Sequence, residues 1–413
     1  ALLIHIGISL YAGAQVLEEF FGISMYVSII GISLVTAIYT ILGGLKAVMI
    51  TNIVQAVLLI AGSILLTVLG IMALPAEGIH SFAELKQAVS PDLDVSMIQP
   101  IKDSTGDMNP YSWLAVIVGY PILGVWYWCT DQTIVQNVLA AKSEKDGRDG
   151  AIFGGFLKIL PVFIMVFPGV LAFVLFQDQI GSDHNSSLIV MMRNLLPKGL
   201  LGLFAAGLLA ALMSTIEAAL NSTATLASKD ILKRIKPEIT DKTQVWAGRM
   251  TAGVVVVLAM LWSTQGGRFE SIFEAINKIP MMFAPAITTI FIMGVFWKKG
   301  TKEAAITTLL FNLGLGVIYL LVDIPLIGNK QLVAQVLNIP FMLAGGIIFL
   351  MCLVIYIIVS LNTESPDPKK LKNLTWEHPL DFLTYGRIDG LTDPRVMAAI
   401  LFAIMIIFYI ILG

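Results

Sequence analysis

Residues 154–169 read GGFLKILPVFIMVFPG, a stretch so apolar that it is expected to cross a membrane, with one cation, Lys158, inside it. In a span over 150–178, Lys158 lies about 12 Å from the helix start at ~1.5 Å of rise per residue, near the middle of a ~30 Å hydrocarbon layer. A cation at that depth costs at least ~2.5 kcal/mol on insertion scales, so it is expected to face an aqueous or substrate cavity. Its surroundings are where function is to be sought.

The composition points the same way. Of 413 residues, 57% are hydrophobic and 13% charged, with mean hydropathy +0.85 and net charge −2. Soluble domains of this length do not carry so many uninterrupted apolar runs. Cys129 and Cys352 both fall in such runs, giving neither a metal-ligand spacing nor a disulfide framework, and are expected to be packing residues. The histidines at 5, 80, 184 and 378 are scattered, and no paired carboxylates or nucleophile motif share a face, so the chain is not expected to be an enzyme. Ala1 opens straight into an apolar segment with no basic leader, the expectation for an internal fragment lacking its N-terminal portion.

Apolar runs long enough to span number about eleven: 2–21, 24–42, 47–74, 113–140, 150–178, 199–228, 244–264, 271–297, 302–324, 335–361 and 394–412. The fold class is therefore an all-α polytopic membrane helix bundle, and 1–413 reads as a single transmembrane domain. Alternating the connections puts loops near 43–46, 141–149, 229–243, 298–301 and 362–393 on one side. These and the adjoining helix ends hold 18 Lys and Arg, against six on the other side. The richer side is expected to be cytoplasmic, which makes 229–243 and 362–393 cytoplasmic loops and 75–112 a long extracellular one. The run SKDILKRIKPEITDK at 228–242 fits an orientation signal, with no nucleic-acid signature. Trp113, Trp262 and Trp297 fall near helix ends, where indoles anchor to the headgroup zone. A multi-pass protein of the cell membrane, embedded in a lipid bilayer, is the expectation; the oligomeric state is left open.

The span 113–140 reads WLAVIVGYPILGVWYWCTDQTIVQNVLA. Its Gly119, Pro121 and Gly124 are expected to break the helical ladder mid-membrane, as in the interrupted helices that build transporter sites; a simple proline kink is the alternative. After that break come Tyr127, Trp128, Thr130, Asp131 and Gln132. Aromatic faces suit the C–H faces of a sugar ring, while hydroxyl, amide and ammonium groups suit its hydroxyls. Lys158 in the next helix supplies such an ammonium.

Five stretches now taken together, GGLKAVMITNIVQ at 43–55, YWCTDQTIVQNVLAAKS at 127–143, GGFLKILPVFIMVFPG at 154–169, ALMSTIEAALNSTATLASKDI at 211–231 and MFAPAITTIFIMGVFWKKG at 282–300, resemble the sugar branch of the sodium/solute symporter family, the sodium–glucose cotransporters. The resemblance covers nearly the whole chain. It implies a five-plus-five inverted-repeat core preceded by three further helices absent here, and sodium-coupled symport of a sugar or polyol by alternating access. It also implies that Tyr127 is the inner gate, Trp128 its neighbour in the pocket and Lys158 a hydroxyl partner. Asn277 stands where the family has a sugar-binding glutamine, and Gly124 where many members carry a polar contact. The implied sodium ligands are the Ala211 carbonyl and the hydroxyls of Ser214 and Thr215; their i, i+3, i+4 spacing puts them on one helical face, although a mid-helix Ser or Thr is more often bonded back to its own helix.

Asn52 stands where sugar-branch relatives usually place an aspartate, which argues for one sodium per cycle. Glu217 and Lys278 are unusual charges for the pattern: either they pair with each other, or one contacts a charged substituent of the substrate. Asp131 is either a partner for a cytoplasmic-side cation or part of the exit path. Glu18 and Glu19 read as a solvated helix edge. The rival reading is a non-transporting sodium- and sugar-binding sensor on the same scaffold.

Overall fold

A computed structural model describes residues 2–412 except 90–95, 182, 270, 324–330, 373, 377–379, 385, 387 and 389; at 41–51, 370, 382, 384 and 412 only the backbone is described. Parts of the predicted loops 75–112 and 362–393, and the side chains of the predicted turn 43–46, lie outside that description. The main helices are α1 (Leu2–Phe21), α2 (Met25–Ala73), α3 (Trp113–Val125), α4 (Gln132–Leu139), α5 (Glu144–Leu157), α6 (Phe167–Ile180), α7 (Lys198–Thr225), α8 (Asp241–Ser263), α9 (Ile272–Phe296), α10 (Lys302–Asp323), α11 (Phe341–Leu361) and α12 (Pro394–Leu412). Among the described residues nine helical stretches are long and apolar enough to cross a bilayer, and α1 with Met25–Thr40, bent by 119°, passes the same test as a pair. Nine of the expected eleven spans correspond to these stretches, while 2–21 and 24–42 form the bent pair, which counts as one span at most; the chain is a multi-pass membrane protein.

The chain divides into two compact units, Ala1–Val95 with Phe156–Ile276, and Ser96–Gly155 with Asn277–Gly413. In the first, the chain turns from α1 to α2 at Gly22, whose φ of 65° suits the left-handed end of a helix. One apolar cluster there joins Ile6, Leu10, Ile32, Ile216, Leu220 and Val256. A second joins Leu66, Leu171, Met191, Met192 and Phe204. Lipid tails are as apolar as these side chains, so the helices associate by close packing rather than by escape from water. Gly62 shows how close: a Cβ there would fall 1.9 Å from the Phe204 ring. At the edge of α1, Glu19 pairs with Arg193 at 3.2 Å, both half-exposed, as a solvated edge requires.

The second unit packs α3, α9, α10 and α11 around Ile122, Trp126, Met281, Met282, Tyr319, Met342 and Cys352. A Cβ at Gly345 would lie 2.2 Å from Met281 Sδ, so glycine admits the methionine. Two buried hydrogen bonds lock the helices: Thr288 Oγ1 donates to the Ile122 carbonyl and Asn312 Nδ2 to the Met282 carbonyl, each at 2.9 Å. Cys352 is buried and Cys129 exposed, and both are free thiols.

Three predicted boundaries shift. The turn at 43–46 is not drawn, and α2 runs unbroken for 49 residues; it contains no proline to stop it, and at ~1.5 Å per residue its ~74 Å exceeds two hydrocarbon thicknesses. The break predicted at Gly119–Gly124 comes later, because Pro121 is carried inside α3 and the chain leaves helical geometry only at Asp131, with φ −70° and ψ 127°. The span 150–178 is interrupted at Lys158 and Ile159, since Pro161 offers no amide to the Leu157 carbonyl.

Candidate functional site

In the second unit the predicted aromatic cluster sits on a π-helical turn, Trp126–Thr130. The Trp126 carbonyl accepts both the Asp131 amide, at 3.0 Å, and the Thr130 hydroxyl, at 2.5 Å, which widens the turn by one residue. Such turns re-aim side chains and recur at functional sites. Here Trp126 points into the core while Trp128 is 46% exposed. Tyr127 stands between them, its ring edge-on to Trp128 at 5.2 Å. Nothing lies within 4 Å of where a Cβ of Gly124 would be, so there is open space one turn before Tyr127. Asp131 caps α4, accepting from the Thr133 amide at 2.8 Å and the Thr133 hydroxyl at 2.5 Å. The Thr–Asp pair before an apolar run is the helix-start signal that marks the true break.

Asn277, partly buried, lies in α9 beside Lys278, which is almost wholly buried. Lys278 and Glu217, one of whose two expected roles was to pair with each other, fall in different units. Lys278 Nζ lies 3.1 Å from Asp323 Oδ2 at the end of α10 and donates to Gln331 Oε1 at 2.9 Å. Glu217, in the first unit, is also buried, and it accepts a long hydrogen bond of 3.5 Å from the Tyr39 hydroxyl. Each charge finds a partner within its own unit. In the sequence, Asp323 resembles an ordinary solvated helix end, and Tyr39 one apolar position among many.

Lys158 belongs to the first unit and is exposed at the turn after α5. It stays within the stretch Glu144–Ile180, which counts as one membrane span, at a two-residue break in the helix.

The hydroxyls of the anticipated cation ligands bond back to their own helix. In α7 the Ser214 hydroxyl donates to the Ala211 carbonyl at 2.8 Å and the Thr215 hydroxyl to the same oxygen at 3.4 Å. All three residues line a cavity of about 610 Å³ within the first unit, together with Asn52, Gln55, Ser63 and His184. Among its described lining residues there is no Asp, Glu, Lys or Arg. The side-chain oxygens of Asn52 and Gln55 are buried without a hydrogen-bond partner. Unsatisfied carbonyl oxygens beside hydroxyls are the neutral hard donors that a small alkali cation prefers. Asn52 thus lines the same cavity as the predicted set, and so does Gln55, which closes the stretch 43–55 but was not singled out in it.

Known proteins resemble this chain over most of its length. The profile of the sodium:solute symporter family matches residues 1–311. The sodium/myo-inositol cotransporter 2 of Mus musculus is 30% identical over 405 residues, which cover 90% of this chain and 59% of that protein. The sodium/glucose cotransporter 4 of Homo sapiens is 30% identical over 401 residues, with 90% and 59% covered. The chain therefore spans about three fifths of the length of these relatives. A solved Na+-coupled sialic acid symporter, in a substrate-bound outward-open state, shares the fold with a TM-score of 0.68 at 19% identity, covering 89% of this chain and 73% of that one.

Proposed function

Because the chain belongs to the sodium:solute symporter family, we propose that it carries out sodium-coupled symport of a sugar or polyol across the cell membrane by alternating access. The observation that carries this reading is the cavity of neutral oxygens around Ala211, Ser214 and Thr215, with the unpartnered oxygens of Asn52 and Gln55 among its lining residues. Sodium is the co-substrate, held by those oxygens. The sugar or polyol would meet Tyr127 and Trp128 through its C–H faces and Asn277 and Lys158 through its hydroxyls, with Gly124 leaving room beside the aromatic pair. Sodium binding favours the conformation that accepts the sugar, and both ligands then leave on the cytoplasmic side. Relatives named for myo-inositol and for glucose support a neutral polyhydroxylated substrate.

The test is uptake by the full-length protein in proteoliposomes, with a radiolabelled panel of myo-inositol, D-glucose, D-galactose and D-mannose under an inward sodium gradient. Accumulation of at least one member that collapses when choline replaces sodium is expected. Sodium-dependent binding without accumulation would replace this reading with that of a sensor.

A further inference from the structure

A buried ion pair is an expensive way to fill space. Replacing one with apolar side chains of similar size is often neutral or stabilising, whereas it gives what apolar contact lacks, a fixed direction. Lys278 and Asp323 are such a pair, their side chains 2% and 0% exposed. Asp323 divides its two oxygens: Oδ2 faces Lys278 at 3.1 Å, while Oδ1 accepts the amides of Val333 and Ala334 at 2.7 and 2.9 Å. Lys278 adds Gln331 at 2.9 Å. One buried point therefore ties α9, the end of α10 and the segment Gln331–Val336 together. That segment leads to Asn338, which accepts the Met108 amide at 2.9 Å and so reaches the 75–112 loop.

The tie falls where α9 is weakest. Pro280 and Pro285 both lie inside this helix, so the Ile276 and Met281 carbonyls receive no amide from one turn ahead. The turn 276–280, which carries Asn277, is short of its own hydrogen bond, and Lys278 holds it from the side. We propose that the Lys278–Asp323 pair is a positioning device that fixes Asn277 toward the sugar or polyol and thereby sets substrate affinity. This rests on the reading of Asn277 given above.

The experiment uses the full-length protein in proteoliposomes with radiolabelled myo-inositol, or with D-glucose where inositol is not carried. Lys278→Met combined with Asp323→Leu keeps the core filled and leaves no lone charge. It is expected to raise the half-saturating substrate concentration about fivefold, the loss of one hydrogen bond, with the half-saturating sodium concentration moving less than about twofold and thermal stability retained. A substrate value within about twofold of wild type overturns the proposal, as does an equal shift in both ligands. Gln331→Leu removes one anchor without stranding a charge, and it carries the test should the double variant fail to insert: a rise of about threefold is expected, and no change overturns the proposal. Asn277→Ala is measured alongside. If it leaves substrate affinity unchanged, the assignment of Asn277 has failed; if it weakens affinity while the pair variants do not, only the positioning role has failed.

Discussion

The Ser214 hydroxyl donates a hydrogen bond to the Ala211 carbonyl at 2.8 Å. A hydroxyl committed in this way keeps its lone pairs for an electrophile. In the function proposed above, this helix back-bond also orients Ser214 toward the cation. The same carbonyl accepts a weaker bond from the Thr215 hydroxyl at 3.4 Å.

Ser214→Ala removes one donor oxygen from the cavity. The half-saturating sodium concentration for uptake is expected to rise about tenfold, while the substrate value at saturating sodium moves little. Sodium titrations of initial uptake rates check it, and an unmoved sodium value means the ligand set is wrong.

Asn52 gives the cavity an amide where a carboxylate would supply charge, and the described lining is otherwise free of acids. One sodium per sugar is expected. Reversal-potential measurements on proteoliposomes read the ratio directly, and a value of two refutes it.

Lys158 is exposed at a helix break, where its long alkyl stem lets the ammonium swing toward a hydroxylated ligand. Lys158→Ala should reduce sugar uptake more than it changes sodium dependence. Unchanged uptake kinetics would remove Lys158 from the substrate contacts.

Asp131 acts as a cap. Asp131→Ala is expected to cost about 1 kcal/mol of stability, whereas Asp131→Asn, which can still accept from the Thr133 amide, costs only a small fraction of that. Thermal unfolding of the two purified variants decides the matter: equal losses would mean that the charge, rather than the cap, is what counts.

In the 75–112 loop, the Thr105 hydroxyl donates to Asp103 at 2.6 Å. This bond, helped by the Thr105 and Asp107 amides, holds the Asp103 carboxyl below the usual aspartate range. A lowered folded value means that the contribution to loop order is complete above the ordinary carboxylate range and is lost as the pH drops through the lowered value. Amide exchange across 96–112 should therefore quicken only in acid. In Asp103→Asn the exchange pattern should lose that acid step, and a step that persists would assign it to another group.

The spans could be read from the chain because a run of ~20 apolar residues matches the thickness of a bilayer and exceeds what a soluble core requires of one helix. The Ala211, Ser214 and Thr215 set came from the family resemblance rather than from spacing, because hydroxyls at i+3 and i+4 commonly bond back to their own helix, as these do. What failed was partner choice across the fold. Glu217 and Lys278 were visible as misfits, but nothing near either marked Tyr39 or Asp323 as its counterpart. The broken helix was anticipated and misplaced: Pro121 is a strong breaker in water, yet membrane helices tolerate proline where neighbours re-satisfy the backbone, and the quieter Asp131 signal prevailed.

The uncharged lining of the cavity in the first unit has an electrical corollary. With no acidic residue among its described walls, an alkali ion that settles there arrives with its full charge uncancelled. A membrane potential then acts on the loaded protein at about 2.3 kcal/mol per 100 mV for a complete crossing, while the empty cavity adds no charge of its own to the return. Transport current should accordingly steepen with inward-negative voltage through the loaded step, leaving the return of the empty carrier nearly indifferent to it.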